Sequence, residues 1–305
     1  MLSLKLENIS YTYQPGTPFE KTALQNISLT LEPGMFFGLA GCSGSGKTTL
    51  IQHLNGLLRP TSGRMTVNGS MLDTKGLKRL RRQVGVVFQN PEHQLFEETV
   101  YRDISFGLSG SGLTPVAVDS RVMAALAAVG LDEEILQRSP FELSGGEKRR
   151  VAIAGVLVMN PAVLVLDELA AGLDPGGRRE ILDFVDRLRS ERGIAVVLAT
   201  HDMEDLARYA DRVLVLQNGT IALNGATREI FRNVEALESA GLEPPEITRF
   251  MMKLKKVMPE IKEGILTVDE AVLELKRLHR EGCWLGSYDT KLADGTVRAR
   301  QFDAA

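Results

Sequence analysis

Apolar and polar residues alternate along the start of the chain with the period of strands. Residues 3–13 and 24–32 read as two strands, and "QPGTPFEK" between them supplies turn residues. "MFFGLA" (35–40) is apolar throughout, as a buried strand is, and runs through a glycine-rich turn into an apolar helix, "TTLIQHLNGLL", that stops near Arg59-Pro60. "QVGVVFQ" (83–89) predicts a further strand. From about Asn90 to Phe141 the spacing turns helical, with a break at "GLSGSGL", which predicts a helical insertion in an α/β frame. "AVLVLD" (162–167) and "IAVVLAT" (194–200) flank a helical stretch, 177–192, in the arrangement of parallel strands joined by a crossover helix. Asn218-Gly219 between two apolar runs predicts a hairpin over 212–225. Beyond about Ala226 the pattern is helical and more charged. Val268, Val272, Leu275 and Leu278 share one face of a final helix, which predicts a core or docking stripe. The stretch from about Gly286 is polar and weakly patterned and predicts a loose tail.

Composition fits this picture: 305 residues, 44% hydrophobic and 25% charged, suit a globular protein with a sizeable core. A formal net charge of -3 gives no global basic field for nucleic acid or anionic lipid, so no nucleic-acid partner is expected. The 2 cysteines, Cys42 and Cys283, lie too far apart in sequence to suggest a metal cluster or disulfide framework, and predict free thiols in a reducing cytoplasm. "MLSLKLENIS" lacks the basic-then-apolar layout of a signal peptide, and runs such as "VAIAGVLVM" fall short of the ~20 residues a spanning helix needs. Any membrane role is therefore expected to work through a partner.

The first chemistry lies at "GCSGSGKT", Gly41 to Thr48, which fits the phosphate-loop template with a strand before it and a helix after it. Gly41, Gly44 and Gly46 allow the backbone N–H groups of the loop, with Cys42, Ser43 and Ser45 between them, to converge on phosphate oxygens, and the helix N-terminus adds partial positive charge. Lys47 is expected to reach the β- and γ-phosphates and the Thr48 hydroxyl to ligate Mg²⁺, with Thr49 completing the binding stretch. Asp167, ending the apolar run "VLVL", supplies the aspartate such proteins use for Mg²⁺, and Glu168 is placed to orient or deprotonate the attacking water. Two adjacent carboxylates at a buried strand end without a metal would be costly, because like charges repel and both lose solvation.

"ELSGGEKRR" (142–150) then decides the class, because it resembles the LSGGQ signature of the ATP-binding cassette (ABC) ATPases, placed shortly before the Mg²⁺-aspartate strand. In order along the chain, Gln89 resembles the family's Q-loop glutamine, beside Mg²⁺ and the water; Asp174 in "AGLDP" its D-loop; and His201 after "VVLAT" its switch histidine. Tyr13 sits where the family has its adenine-stacking aromatic, with Tyr11 a second candidate. The resemblance implies an α/β phosphate-loop NTPase of the ABC type over residues 1–230, with an antiparallel β subdomain and a helical subdomain at about 90–160. A helical extension over 231–285 and the loose tail, 286–305, would follow. It further implies that ATP bound on one phosphate loop is covered by Ser144, Gly145 and Gly146 of a second subunit, so that two nucleotides are held head to tail and a monomer hydrolyses poorly.

A narrower resemblance lies in "VFQNPEHQLFEETVYRDISFG", "RRVAIAGVLVMNP" and "YTYQPGTPFEKTAL". These are similar to the ATPases of energy-coupling factor (ECF) importers of vitamins and transition-metal ions, most of all to the second of their two ATPase subunits. That implies a homologous or identical ATPase partner, a membrane scaffold protein whose coupling helices enter a groove around residues 89–106, a separate membrane substrate-binding protein, and a place on the cytoplasmic face of the cell membrane. Two departures stand out. "DELA" replaces DEPT, removing the restraint a proline puts on the residue before it and leaving Glu168 less well held; "LSGGE" replaces LSGGQ, placing the charge of Glu147 near the partner's nucleotide. Neither removes a reacting group. Two alternatives stay open: a nucleotide-binding ABC subunit with impaired hydrolysis, and a soluble ABC ATPase outside transport, which would be expected to carry coiled-coil heptads or zinc cysteines.

Overall fold

The computed structural model describes residues 2–281 of the chain. Strands β1 (Leu4–Tyr13) and β2 (Lys21–Leu31) pair antiparallel, with Leu4 opposite Leu31 and Tyr13 opposite Lys21. Strand β3 (Phe36–Ala40) is buried at every residue and leads through the glycine-rich loop into helix α1 (Lys47–Leu54). This helix is shorter than the apolar pattern suggested: Asn55 caps it and Gly56 turns the chain in the left-handed region at φ 72°, so "GLL" lies outside it. Strands β4 (Ser62–Val67) and β5 (Ser70–Met71), which the hydrophobic pattern did not reveal, extend the antiparallel sheet to the order β2-β1-β4-β5. Helix α2 (Thr74–Gln83) was equally hidden; it starts where Asp73 accepts a hydrogen bond from Gly76 N at 2.6 Å, and strand β6 (Val84–Val87) follows it.

The segment read as helical from Asn90 to Phe141 holds a 3₁₀ turn at Pro91–Gln94, then α3 (Val100–Phe106) and α4 (Pro115–Ala128), separated by "GLSGSGL". Helix α5 (Gly145–Leu157) completes the helical side. The chain continues through β7 (Val163–Asp167), α6 (Pro175–Arg192), β8 (Ala195–Ala199), α7 (Met203–Tyr209) and the hairpin β9 (Arg212–Gln217) and β10 (Thr220–Ala226). The larger sheet runs β10-β9-β3-β8-β7-β6, all parallel except for β10. Leu164 and Leu166 face a core under the helical side, while Val163 and Val165 face a second core toward the antiparallel sheet. Burial on both faces is why these strands read as unbroken apolar runs.

Among the described residues four helices follow, α8 (Thr227–Arg232), α9 (Val234–Ser239), α10 (Glu246–Lys255) and α11 (Val268–Arg280), and α10 and α11 share a core of Met251, Ile261, Ala271 and Leu278. The expected stripe on α11 is only half buried: Leu278 is enclosed, but Val268 and Val272 remain 60% and 43% exposed. The helix instead turns Ala271, Glu274 and Leu278 inward, and the Glu274 carboxylate accepts hydrogen bonds from Arg277 at 2.7 Å and from Lys262 N at 2.9 Å. Among the described residues no helix is long and apolar enough to cross a membrane. The expected loose tail and Cys283 lie outside the described residues.

Candidate active site

The carboxyl ends of the parallel strands meet at one crevice, the usual ligand position in an open α/β sheet. Gly41 follows β3 at φ 150°, and a Cβ there would lie 2.4 Å from Ser45 Oγ and 2.5 Å from Leu216 O. Gly46 precedes α1 at φ 108°, where a Cβ would come within 2.8 Å of Ala23 O. Both positions therefore require glycine on steric as well as dihedral grounds. The loop rests on the β9–β10 turn: Gly219 N donates to Ser45 O at 3.0 Å, and Gln25 N donates to Gly219 O at 2.7 Å. Asn218-Gly219 marks its turn in the sequence, but its place as a wall of this site depends on tertiary packing. Lys47 Nζ donates to the carbonyls of Gly41 and, at 3.2 Å, Cys42. Cys42 Sγ lies 3.4 Å from the Gly241 carbonyl, so the loop also touches the connection between α9 and α10.

A cavity of about 690 Å³ opens over the loop. Ser43, Gly44, Gly46, Lys47, Thr48 and Thr49 form its floor, Tyr13 stands on one side, and Gln89, Asp167, Glu168 and His201 stand on the other. Gly41, Cys42 and Ser45 of the loop do not line it, and Ser144, Gly145, Gly146 and Asp174 are also absent from its walls. The Tyr13 hydroxyl lies 3.2 Å from Thr49 Oγ1, and its ring meets Tyr11 edge-on at 4.8 Å. Tyr11 in turn meets the buried His53 ring at 5.0 Å.

Asp167 is only 7% exposed, and burial, reinforced by the charge of Glu168, pushes its carboxyl above the usual range. The charge of Lys47 and the Thr48 hydroxyl oppose that shift. Glu168 has left-handed backbone, φ 51°, and its amide donates to Ala199 O at 2.9 Å. Its carboxylate accepts from Gln89 Nε2 at 2.9 Å and lies 3.3 Å from His201 Nδ1. Two residues far apart in sequence, Gln89 and His201, thus converge on the Glu168 carboxylate.

The residues after Glu168 supply restraints of their own. Leu169 is fully buried and Ala170 nearly so, both in the core under the helical side, and Ala171 N donates to Glu168 O at 2.9 Å. Glu168 is therefore anchored from both sides without a proline. The expected result for Leu169→Pro is a lower melting temperature, from lost core packing, with turnover per folded molecule retained. Thermal unfolding and ATP turnover measured on one preparation check this.

The signature residues lie at the start of α5, where Ser144 is the N-cap and Glu147 completes a capping box. Asp174 caps α6, accepting from Gly176 N at 2.9 Å and Gly177 N at 3.1 Å, and these bonds hold its carboxyl below the usual range. One contact was not foreseen: Arg178, in the turn after Asp174, bridges Asp202 and Asp205 at 2.7 Å each. It ties the start of α6 to the residue following His201. The sequence signal was slight, an arginine after "LDPGG" and an aspartate beside a histidine.

Residues 24–171 match the family model described as ABC transporter. The chain is 51% identical over 92% of its length to all of "Energy-coupling factor transporter ATP-binding protein EcfA2" from Acetivibrio thermocellus. It is 48% identical over 90% of its length to 99% of the protein of that name from Clostridium perfringens. Among solved structures, cbiO1 from Clostridium perfringens, part of the ABC transporter complex cbiONQ, aligns with TM-score 0.70 and 40% identity over 82% of this chain and 98% of that one. The dimeric ATP-binding cassette MJ0796, bound to ADP and Pi in a post-hydrolysis state, aligns with TM-score 0.64 and 28% identity over 73% of this chain and 98% of that one. The chain belongs to the ABC ATPases and, among them, to the ATP-binding proteins of energy-coupling factor transporters.

Proposed function

We propose that this chain binds and hydrolyses ATP as one half of a head-to-tail pair of ATPase subunits, related or identical, and so energises an ECF-type importer of vitamins or transition-metal ions. One observation carries the pairing. Phosphate-loop residues, Asp167, Glu168, Gln89 and His201 line one cavity, while Ser144, Gly145, Gly146 and Asp174 lie outside it, which supports a site completed by the signature of a second chain.

In this reading the loop amides and Lys47 hold the triphosphate, and Tyr13 stacks on the adenine. The Glu168 carboxylate takes the proton of the attacking water, while Gln89 and His201 fix its orientation. The donor set suits Mg²⁺, which prefers oxygen ligands and binds through one or two carboxylates plus substrate phosphates. Thr48 and Asp167, with the Gln89 amide beside them, would hold it, and when bound it neutralises charge on the phosphate oxygens. Burial separates the tasks of the two carboxylates lining the cavity: Asp167 is buried, with the charge of Lys47 acting on it, whereas Glu168 is less enclosed and is met by Gln89 and His201. Ser144 and Gly146 of the facing chain would cover the γ-phosphate from the N-terminus of α5, and Asp174 belongs to the surface between the chains.

Phe96 and Phe106, 57% and 52% exposed, meet edge-to-face at 4.9 Å on the helical side, in a groove that Phe88 and Gln94 also line. Such a patch suits apolar coupling helices of a membrane scaffold protein. A separate membrane protein would then select the substrate, and this chain would act at the cytoplasmic face of the membrane. Affinity purification through this chain from a detergent extract, with mass spectrometry of what comes with it, tests the assembly. Integral membrane proteins and an ATPase partner are expected; ribosomes or DNA in their place would contradict it.

A further inference from the structure

Glu147 does more than add charge to the signature. Its Oε2 accepts from Ser144 N at 2.8 Å and from Ser144 Oγ at 2.7 Å, and Glu147 N donates to Ser144 Oγ at 3.3 Å. A serine hydroxyl has one proton, and an ionised carboxylate can only accept. The same hydrogen bonds hold the Glu147 carboxyl below the usual range, so the acceptor is charged at neutral pH. We infer that Glu147 is a positioning residue that latches Ser144: it takes the hydroxyl's only proton, and the Ser144 hydroxyl can donate to the γ-phosphate of the facing chain's ATP only after that bond breaks.

This inference rests on the head-to-tail reading above and sharpens it. The ATP that meets the latch lies on the facing chain, so the site closed by this signature needs more nucleotide than one closed by a glutamine-bearing signature. A glutamine at 147 would offer an uncharged acceptor, and hydrogen bonds to neutral groups are about half as strong as those to charged ones. It also fits the third position of a capping box, so α5 keeps its cap. Ser144→Gly removes the hydroxyl, and glycine is itself a tolerated N-cap residue, so α5 is expected to keep its start.

The test measures KM for ATP and kcat of the assembled ATPase pair carrying Glu147→Gln, Ser144→Gly or both. Glu147→Gln is expected to lower KM by up to about tenfold, with a smaller change in kcat, the difference between a charged and a neutral acceptor. In the Ser144→Gly background the same change should leave KM within about twofold, because no hydroxyl proton remains to release. A gain in ATP affinity that persists without the hydroxyl would overturn the latch and leave the signature's role intact, since charge repulsion alone would then account for it. No change in KM on Glu147→Gln with Ser144 present would also overturn it. If Ser144→Gly were without effect in either background, the head-to-tail reading would fail and the latch with it.

Discussion

Glu168→Gln lowers ATP turnover of the assembled pair by about 10²- to 10⁴-fold, the loss expected when a positioned general base is removed. The substitution changes little else. Glutamine has nearly the shape of glutamate, its neighbour Leu169 stays in the core, and the amide of residue 168 can still donate to Ala199 O. Asp167, Thr48 and Lys47 are untouched, so ATP affinity stays close to that of the unaltered chain. Single-turnover phosphate release, beside equilibrium binding of a labelled nucleotide, separates the two effects. Turnover within about threefold of the original would place the base elsewhere.

Lys47→Ala acts one step earlier, on binding. The ammonium group lies against the loop, donating to the carbonyls of Gly41 and Cys42, and in the proposed reading it would hold the phosphates. Hydrogen bonds to charged groups contribute roughly 1.5–3 kcal/mol each, so ATP affinity is expected to fall by about tenfold to a hundredfold or more. The loss has a second part. Lys47 is the cation that opposes the upward shift of the buried Asp167 carboxyl, and without it that carboxyl holds its proton more tightly. Calorimetric titration with ATP measures the loss, and an unchanged affinity would remove Lys47 from the phosphate site.

The parts of the molecule legible in the sequence are those with a local cause. The strands of the larger sheet announce themselves because residues such as Val163 to Leu166 are buried on both faces. The phosphate loop is legible because Gly41 and Gly46 occupy backbone and space that no other residue fits. Strand β4 escaped because its first three residues are exposed and break the alternation, and α2 because charged residues dominate it. The stripe on α11 was drawn through Val268 and Val272, but the neighbouring α10 meets a face centred on Ala271 and Leu278. Tertiary facts left the least trace: the β9–β10 turn under the loop, the Arg178 bridge to Asp202 and Asp205, and the restraint of Glu168 by residues on both sides of it. In the signature the sequence marked Glu147 as a departure, and the capping box shows which group that carboxylate engages.

The most direct test of the composite site is ATP turnover per chain across a dilution series of the full chain, alone and with the ATPase chain that copurifies with it, with molecular mass followed by light scattering. If the signature of one chain completes the phosphate site of another, turnover per chain rises with the paired fraction and vanishes where only monomer remains. Constant turnover from a chain that stays monomeric throughout would contradict it.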